Sequence, residues 1–410
     1  MGLDLFASLD LPNGQSIPNR IAKAAMEENM AVEGQLPGRD LWNLYSSWAQ
    51  GGAGLIITGN VMVDGRAMTG PGGVVLEEGT VIAPFKRWAR AIRAGGAQAW
   101  MQLSHPGRQV YATMKGNVWS ASDIPLDLGK HSGMFGKPIA MSEDQIMETI
   151  GRFATSAALA EKAGFTGVQI HAAHGYLISQ FLSPLSNRRE DKWGGSLENR
   201  ARFLKEIIQA VRASVAPGFC VGVKLNSADF QKGGFDEKDA TRVLEMLNHL
   251  HVDLVELSGG SYESPAMQGH TTDGQTLARE AYFLDFAQRI AGAAKMPVMT
   301  TGGIMRRAVA QHVLDQGIDM VGIATALAMN PHLVNDWKSD PEARVNPVTV
   351  KWKDKALVAL GTMAIVKRQL RRLGVGKPPM PGVSPSMSLL MDQLRKLQQT
   401  RRYRRWLRRR

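Results

Sequence analysis

The 410-residue chain holds a single cysteine, Cys220. One thiol excludes an internal disulfide framework, and it leaves no Cys-ligated zinc or iron–sulfur site. A reducing, cytoplasmic setting is expected. No run reaches the roughly 18 consecutive apolar residues of a membrane helix. The opening Met1–Asp10 carries Asp4 and Asp10 but no basic residue, so neither a transmembrane span nor a signal peptide is expected. Low-complexity tracts and solenoid-period repeats are also missing; the 43 Gly and 19 Pro are scattered, as short turns between regular elements require. Acidic residues are scarce in one place only. From Lys351 to Arg410 there are 17 Lys or Arg against Asp354 and Asp392, a local charge of +15 in a chain of +12, so the preceding 350 residues carry −3. The basicity belongs to the tail and gives no clear sign of a nucleic-acid partner for the body.

Apolar residues make up 44% of the chain, enough for a substantial core. Eight short β-branched or apolar runs read as strands: Arg20–Met26, Gly54–Val61, Gln98–Leu103, Gly167–His171, Cys220–Asn226, Leu254–Ser258, Pro297–Thr301 and Met320–Ala324. Amphipathic helical patterns fall between them, including Asp40–Gly51, Ala83–Gly95, Asp144–Ala163, Leu197–Val215, Glu237–Leu250, Phe283–Ala294 and Arg306–Gln316. Eight such units predict a (β/α)8 TIM barrel over residues 1–338, followed by a basic helical extension over 339–410. Within the extension, Trp352–Leu373 reads as a helix with Leu357, Leu360, Ala364 and Ile365 on one side, and Met387–Trp406 as a second with a Leu390, Leu394, Leu397 stripe. That stripe predicts a helix packed on the barrel or on a second subunit, with its charges in solvent; docking of Arg401–Arg410 to nucleic acid or an anionic membrane is the alternative.

Chemistry on such barrels sits at the C-terminal strand ends. There the sequence places Glu27, Asn60, Gln102, His105, His171, His174, Tyr176, Lys224 and Asn226. The long segment from Ser104 to Ser142 is expected to wall the site's mouth. In His171-Ala-Ala-His174-Gly-Tyr176, two imidazoles three apart leave a strand end and a phenol follows. Spacing alone leaves three readings open: neutral donors to one substrate oxygen, a metal pair, or structural histidines. No Cys or carboxylate cluster completes a metal ligand set. Cys220 opens a strand at the far end of the barrel, as a buried inert thiol would.

The run from His171 through Ser183-Pro184, Asn187-Arg-Arg and Trp193-Gly-Gly-Ser196-Leu-Glu-Asn199-Arg-Ala-Arg202-Phe203 resembles the old yellow enzyme family of FMN-dependent NADH:flavin oxidoreductases. Further matches follow in order: Asn19-Arg20-Ile21 to Met26, Gln102-Leu-Ser-His105-Pro-Gly107-Arg108, Lys224, and Thr301-Gly302-Gly303. The likeness covers roughly Leu5 to Pro331 and is to the single-domain members. It implies an FMN site in which Gln102 meets the pyrimidine edge and Lys224 lies near N1 and C2=O, where charge gathers on reduction. It places Ala25, Met26 and Glu27 on the N5 and O4 side with Asn60 nearby, and Gly302, Gly303, Ala324 and Thr325 at the phosphate. NADH or NADPH would be the reductant and an activated alkene the substrate, its carbonyl held by His171 and His174 and its α-carbon protonated by Tyr176.

Three positions depart from that pattern. Glu27 stands where the family often has Thr, Cys or Ser, and its carboxylate opposes a reduced anionic flavin unless protonated or turned away. Gly322-Ile-Ala-Thr325 lacks the usual phosphate-binding arginine. Trp193 replaces a tyrosine and is expected to be structural, as are Asn199, Arg200 and Arg202; Arg108 is expected either at the mouth or as a loop brace. A dehydrogenase of amines on the same scaffold, or a non-catalytic barrel docked through its tail, are the rival readings, and a homo-oligomer is possible for any of them.

Overall fold

Each apolar run becomes a strand because it is buried on both faces, as parallel strands under helices must be. In the computed structural model, which describes residues 3–264, 280–346 and 348–410, these are β1 Ile21–Lys23, β2 Leu55–Ile57, β3 Gln98–Ser104 and β4 Gly167–Ala172. They continue as β5 Cys220–Asn226, β6 Leu254–Ser258, β7 Val298–Thr300 and β8 Met320–Ile323. All neighbours are parallel, and β8 returns to β1 through Val321 opposite Ile21, closing an eight-stranded barrel without edges. The first two residues of the opening segment lie outside the described residues.

Helices follow the strands: α1 Arg39–Gln50, α2 Ala83–Arg93, α3 Glu143–Lys162, α4 Leu197–Ser214, α5 Glu237–Leu247, α6 Leu284–Ala291 and α7 Arg307–Asp315. Their starts are set by local chemistry. Ser142 and Gln145 form a reciprocal capping box on α3, Ser196 caps α4, and Asp236 accepts from the amides of Lys238 and Asp239 at α5. Each such cap stabilises its helix by about 1 kcal/mol. Leu41, Leu44, Tyr45 and Trp48 form the buried stripe by which α1 grips the barrel.

The bottom of the barrel is plugged. A hairpin pairing Leu9–Asp10 with Ser16–Ile17 places Leu9, Leu11 and Ile17 against Leu55, Trp100, Cys220, Met299 and Met320. Cys220 is buried there, takes a hydrogen bond from Asn13, and burial pushes its thiol up to about 12. Only the opposite end is left for chemistry.

A helix α8, Leu333–Ser339, follows β8 and packs into the barrel core through Leu333, Val334 and Trp337, and the extension beyond it holds α9 Lys355–Gly374 and α10 Pro385–Leu407. It packs on the barrel, with α9 against α1 and α10, but through the face the leucine stripe did not indicate. Leu390, Leu394 and Leu397 are 54–59% exposed, whereas Ser388, Asp392, Gln399 and Tyr403 are buried. In α9, Ala364 and Ile365 are buried but Leu357 and Leu360 are not. The ground beneath α10 explains the inversion, because it presents backbone carbonyls that need donors. Gln399 donates to Asn29 O, Arg402 to Ala31 O, Tyr403 to Gly65 O and Arg404 to Thr113 O, while Arg410 pairs with Glu77. Arg402 and Arg404 are therefore half-buried anchors for which the expectation of solvated charge does not hold, while Arg410 stays 41% exposed as expected.

Candidate active site

The C-terminal end of β4 reverses sharply. His174 at φ 62° and Gly175 at φ 72° take left-handed backbone, and Tyr176 then starts the short helix Leu177–Leu182. A non-glycine residue in that region needs support, which Asn226 Oδ1 gives by accepting from the His174 N–H at 3.1 Å. The reversal folds Tyr176 back over His171, with ring centroids 4.9 Å apart, and sets the two imidazoles edge-to-face at 5.0 Å. Ala173 N–H donates to His171 Nδ1 at 3.3 Å, so the proton of the neutral ring sits on Nε2. His174 Nε2 lies 2.8 Å from Ser258 Oγ. Burial, and then the Lys224 charge, hold both imidazoles well below the usual histidine range. They are neutral at pH 7. The Tyr176 hydroxyl is 3.2 Å from that of Tyr262, and burial foremost, with the Glu27 charge next, raises its pKa far enough to keep it a protonated donor.

Below this cluster runs a polar relay that joins the expected Gln102 and Lys224 through Gln169 and Glu256, which the sequence did not single out. Gln102 Nε2 donates to Gln169 Oε1 at 2.8 Å, Gln169 Nε2 to Glu256 Oε2 at 2.7 Å, and Glu256 Oε1 pairs with Lys224 Nζ at 2.7 Å. Glu256 is fully buried and the Lys224 side chain is 6% exposed. Their signal in the sequence was a Gln and a Glu in the middle of otherwise apolar buried strands, where each must find a partner.

The rim is aromatic. Tyr111 and Phe135, both from the Ser104–Ser142 segment, stack at 4.8 Å, and Phe135 leans on Tyr262 at 5.9 Å. That segment therefore does wall the mouth. Arg108 braces it, donating to Ile124 O and Pro125 O and pairing with Glu263 at 2.7 Å. His105 lies deeper, stacked on Trp119, with burial lowering its pKa to about 4. Trp193 is buried against Phe203, and Arg200 and Arg202 tie α4 to neighbouring loops through Leu182 O and Lys192 O.

Ala25, Met26 and Glu27 follow β1 in sequence and are half-buried, as is Asn60 beyond β2. Glu27 is half-buried and held at both oxygens: Thr69 donates to Oε1 at 2.7 Å, and Lys367 Nζ of α9 stands 3.8 Å from Oε2. Gly302 at φ 131° and Gly303 at φ 72° follow β7, where a β-carbon on Gly302 would meet the Tyr282 nitrogen at 2.9 Å. Ala324 and Thr325 continue from β8, the strand paired with β7. The structure thus gathers the sequence-predicted residues at one barrel end. A cavity of about 820 Å³ lies elsewhere, beside Glu77, Arg152 and Arg410, whose charges are already paired. Among the described residues no three His, Cys, Asp or Glu side chains gather as a metal site, and no helix is long and apolar enough to cross a membrane.

This barrel can be compared with known proteins. Residues 4–343 match the model of the NADH:flavin oxidoreductase / NADH oxidase family. The chain belongs to that family. It is 40% identical over 357 residues to the NADH-dependent flavin oxidoreductase iliE of Hypocrea jecorina, covering 80% of this chain and 88% of that protein. It is 32% identical over 321 residues to the NADPH dehydrogenase of Bacillus velezensis, covering 77% and 89%. Among solved structures, 2-naphthoyl-CoA reductase superposes with TM-score 0.75 at 26% identity over 82% of this chain, which spans about half, 52%, of that protein. Morphinone reductase superposes with TM-score 0.69 at 24% identity, covering 85% and 92%, and shares the fold. The chain is thus a flavin oxidoreductase on a (β/α)8 barrel.

Proposed function

We propose that this flavin oxidoreductase holds FMN and uses NADH or NADPH to reduce an alkene activated by a carbonyl group. The observation that carries this reading is the convergence of two neutral imidazoles and one protonated phenol at the end of β4. The residues present fit the cofactor. Lys224 offers a buried cation and Gln102 an amide on one side of the barrel mouth. Gly302 and Gly303 after β7 offer backbone where a side chain would obstruct, and Ala324 and Thr325 follow just past the adjacent β8. We assign Gln102 and Lys224 to the isoalloxazine, Ala25, Met26, Glu27 and Asn60 to its other edge, and the glycine pair with Ala324 and Thr325 to the phosphate.

Bound FMN would supply hydride chemistry at N5, toward the β-carbon of the alkene. The chain supplies polarisation and a proton. His171 Nε2–H donates to the substrate carbonyl oxygen, and His174, held by Ser258, completes the pair, so negative charge developing on that oxygen meets fixed neutral donors. Tyr176 then gives its hydroxyl proton to the α-carbon, and the Tyr262 hydroxyl at 3.2 Å is placed to stabilise the oxygen left behind. Tyr111 and Phe135 cover the mouth and keep water from the reacting atoms. Steady-state turnover of 2-cyclohexenone by wild type, and its loss in the double variant His171→Ala, His174→Ala while NADH still reduces the flavin, tests the assignment. Equal turnover by that variant refutes it.

A further inference from the structure

We propose that Lys367, contributed by the C-terminal extension, is a positioning residue that holds Glu27 and cancels its charge at the cofactor edge of the site. The inference rests on the FMN reading above and concerns a residue about 340 positions from the strand it serves.

Glu27 follows Met26 in the segment that leaves β1, and its two oxygens are separately engaged, one by Thr69 and one by Lys367. At 3.8 Å the second contact is a charge pair and not a hydrogen bond. Lys367 is 7% exposed, and its Nζ donates to Asn29 Oδ1, two residues beyond Glu27. A cation so buried requires a counter-charge. The charged groups facing it are Glu27 and Asp392 on one side of the balance and Lys396 and Arg371 on the other. Asp392 is already shared by Arg371 and Lys396, the latter at 3.1 Å, which leaves Glu27 as the carboxylate not otherwise paired with a cation.

The surrounding contacts make this an anchored arrangement. Gln399 donates to Asn29 O and Arg402 to Ala31 O, so three donors from α9 and α10 fasten the Glu27–Ala31 segment. Glu27 faces the working side of the site: after burial, its charge is the next cause raising both Tyr111, to about 12, and Tyr176. An uncompensated carboxylate there would oppose the added negative charge of a reduced flavin, whereas a paired one is close to neutral in effect. The extension thereby sets the electrostatics of the first strand end, where the Glu27 charge is offset by Lys367.

The test is a redox titration of FMN-bound wild type, Lys367→Met, Lys367→Arg, Glu27→Gln and the double variant Glu27→Gln, Lys367→Met, with urea midpoints of the flavin-free forms measured in parallel. Lys367→Met is expected to shift the oxidised-to-reduced ratio at least tenfold toward oxidised, about 30 mV for a two-electron couple. Lys367→Arg should stay within threefold of wild type, and the double variant should recover to within threefold. A potential unchanged by Lys367→Met, or a double variant that keeps the full shift, overturns the proposal. Should Lys367→Met prove too unstable to titrate, recovery of its urea midpoint by added Glu27→Gln supports the pairing and failure to recover overturns it. Wild type that takes up no FMN overturns the flavin reading and the redox consequence, while the midpoints still decide the pairing.

Discussion

Replacing Glu256 by Gln isolates the charge in the buried relay. The substitution keeps shape and leaves an amide oxygen to accept from Gln169, but Lys224, whose side chain is 6% exposed, loses the carboxylate 2.7 Å away. Removing one member of a buried pair typically costs about 3–5 kcal/mol, because the remaining charge is left unsolvated. Keeping the amide and its hydrogen bond to Gln169 places the expected loss at the lower end, about 3 kcal/mol. Lys224→Met alone should cost a similar amount, while the double variant Glu256→Gln, Lys224→Met should cost much less than the sum, giving a coupling of about 2–3 kcal/mol. The assay is urea unfolding of the flavin-free protein at pH 7, followed by tryptophan fluorescence. Excess FMN should return more stability to Glu256→Gln than to wild type, because the freed Lys224 charge is available to the flavin. A single-variant cost below about 1 kcal/mol, or strict additivity in the double variant, would refute the reasoning.

Other predictions concern the proton donor, acid stability and the extension. Tyr176→Phe should slow flavin reoxidation by an enone about 10²–10⁴-fold, with reduction by nicotinamide changed little, as stopped-flow absorbance would reveal; a comparable fall in both half-reactions would contradict the role. Because Tyr176 stays protonated above its ordinary range, wild-type reoxidation should not decline between pH 8 and 10 through loss of this acid, and an enone-specific decline there would count against it. His105, lowered to about 4 in the fold against about 6.5 unfolded, stabilises the native state fully above pH 6.5. That contribution is lost as pH falls through the window from 6.5 to about 4, reaching on the order of 3 kcal/mol. His105→Gln should flatten the stability profile across that window, and an unchanged slope would refute it. On α10, Tyr403→Ala should cost about 3–5 kcal/mol and Leu394→Ser under about 0.5 kcal/mol, and thermal unfolding showing the reverse order would restore the leucine stripe as the packing face.

The barrel was legible because burial on both faces writes apolar runs into the sequence, and all eight runs became strands within a few residues of the expected ends. Their ends receded where the chain leaves the barrel, so Arg20–Met26 is a strand only over Ile21–Lys23, and Ala25–Glu27 follow it as half-buried, irregular chain. The His171, His174 and Tyr176 cluster was legible from close spacing after a strand. Partners supplied from elsewhere were not. Gln169 and Glu256 carried a faint signal as polar residues within apolar strands, but their links to Gln102 and Lys224 depend on the register of neighbouring strands. Lys367 carried none, since one lysine among the 17 basic residues of the tail looks like any other. The orientation of α10 was misread for a related reason: periodicity locates apolar residues on a helix, but unpaired carbonyls on the barrel chose the polar face.

The central claim is tested most directly by an anaerobic absorbance experiment on purified protein loaded with FMN, reduced with NADH or NADPH, and then mixed with 2-cyclohexenone. The account predicts flavin bands that bleach with the nicotinamide and return with the enone. Protein that binds no flavin at excess FMN, or bound flavin that bleaches and stays bleached with the enone, would contradict it.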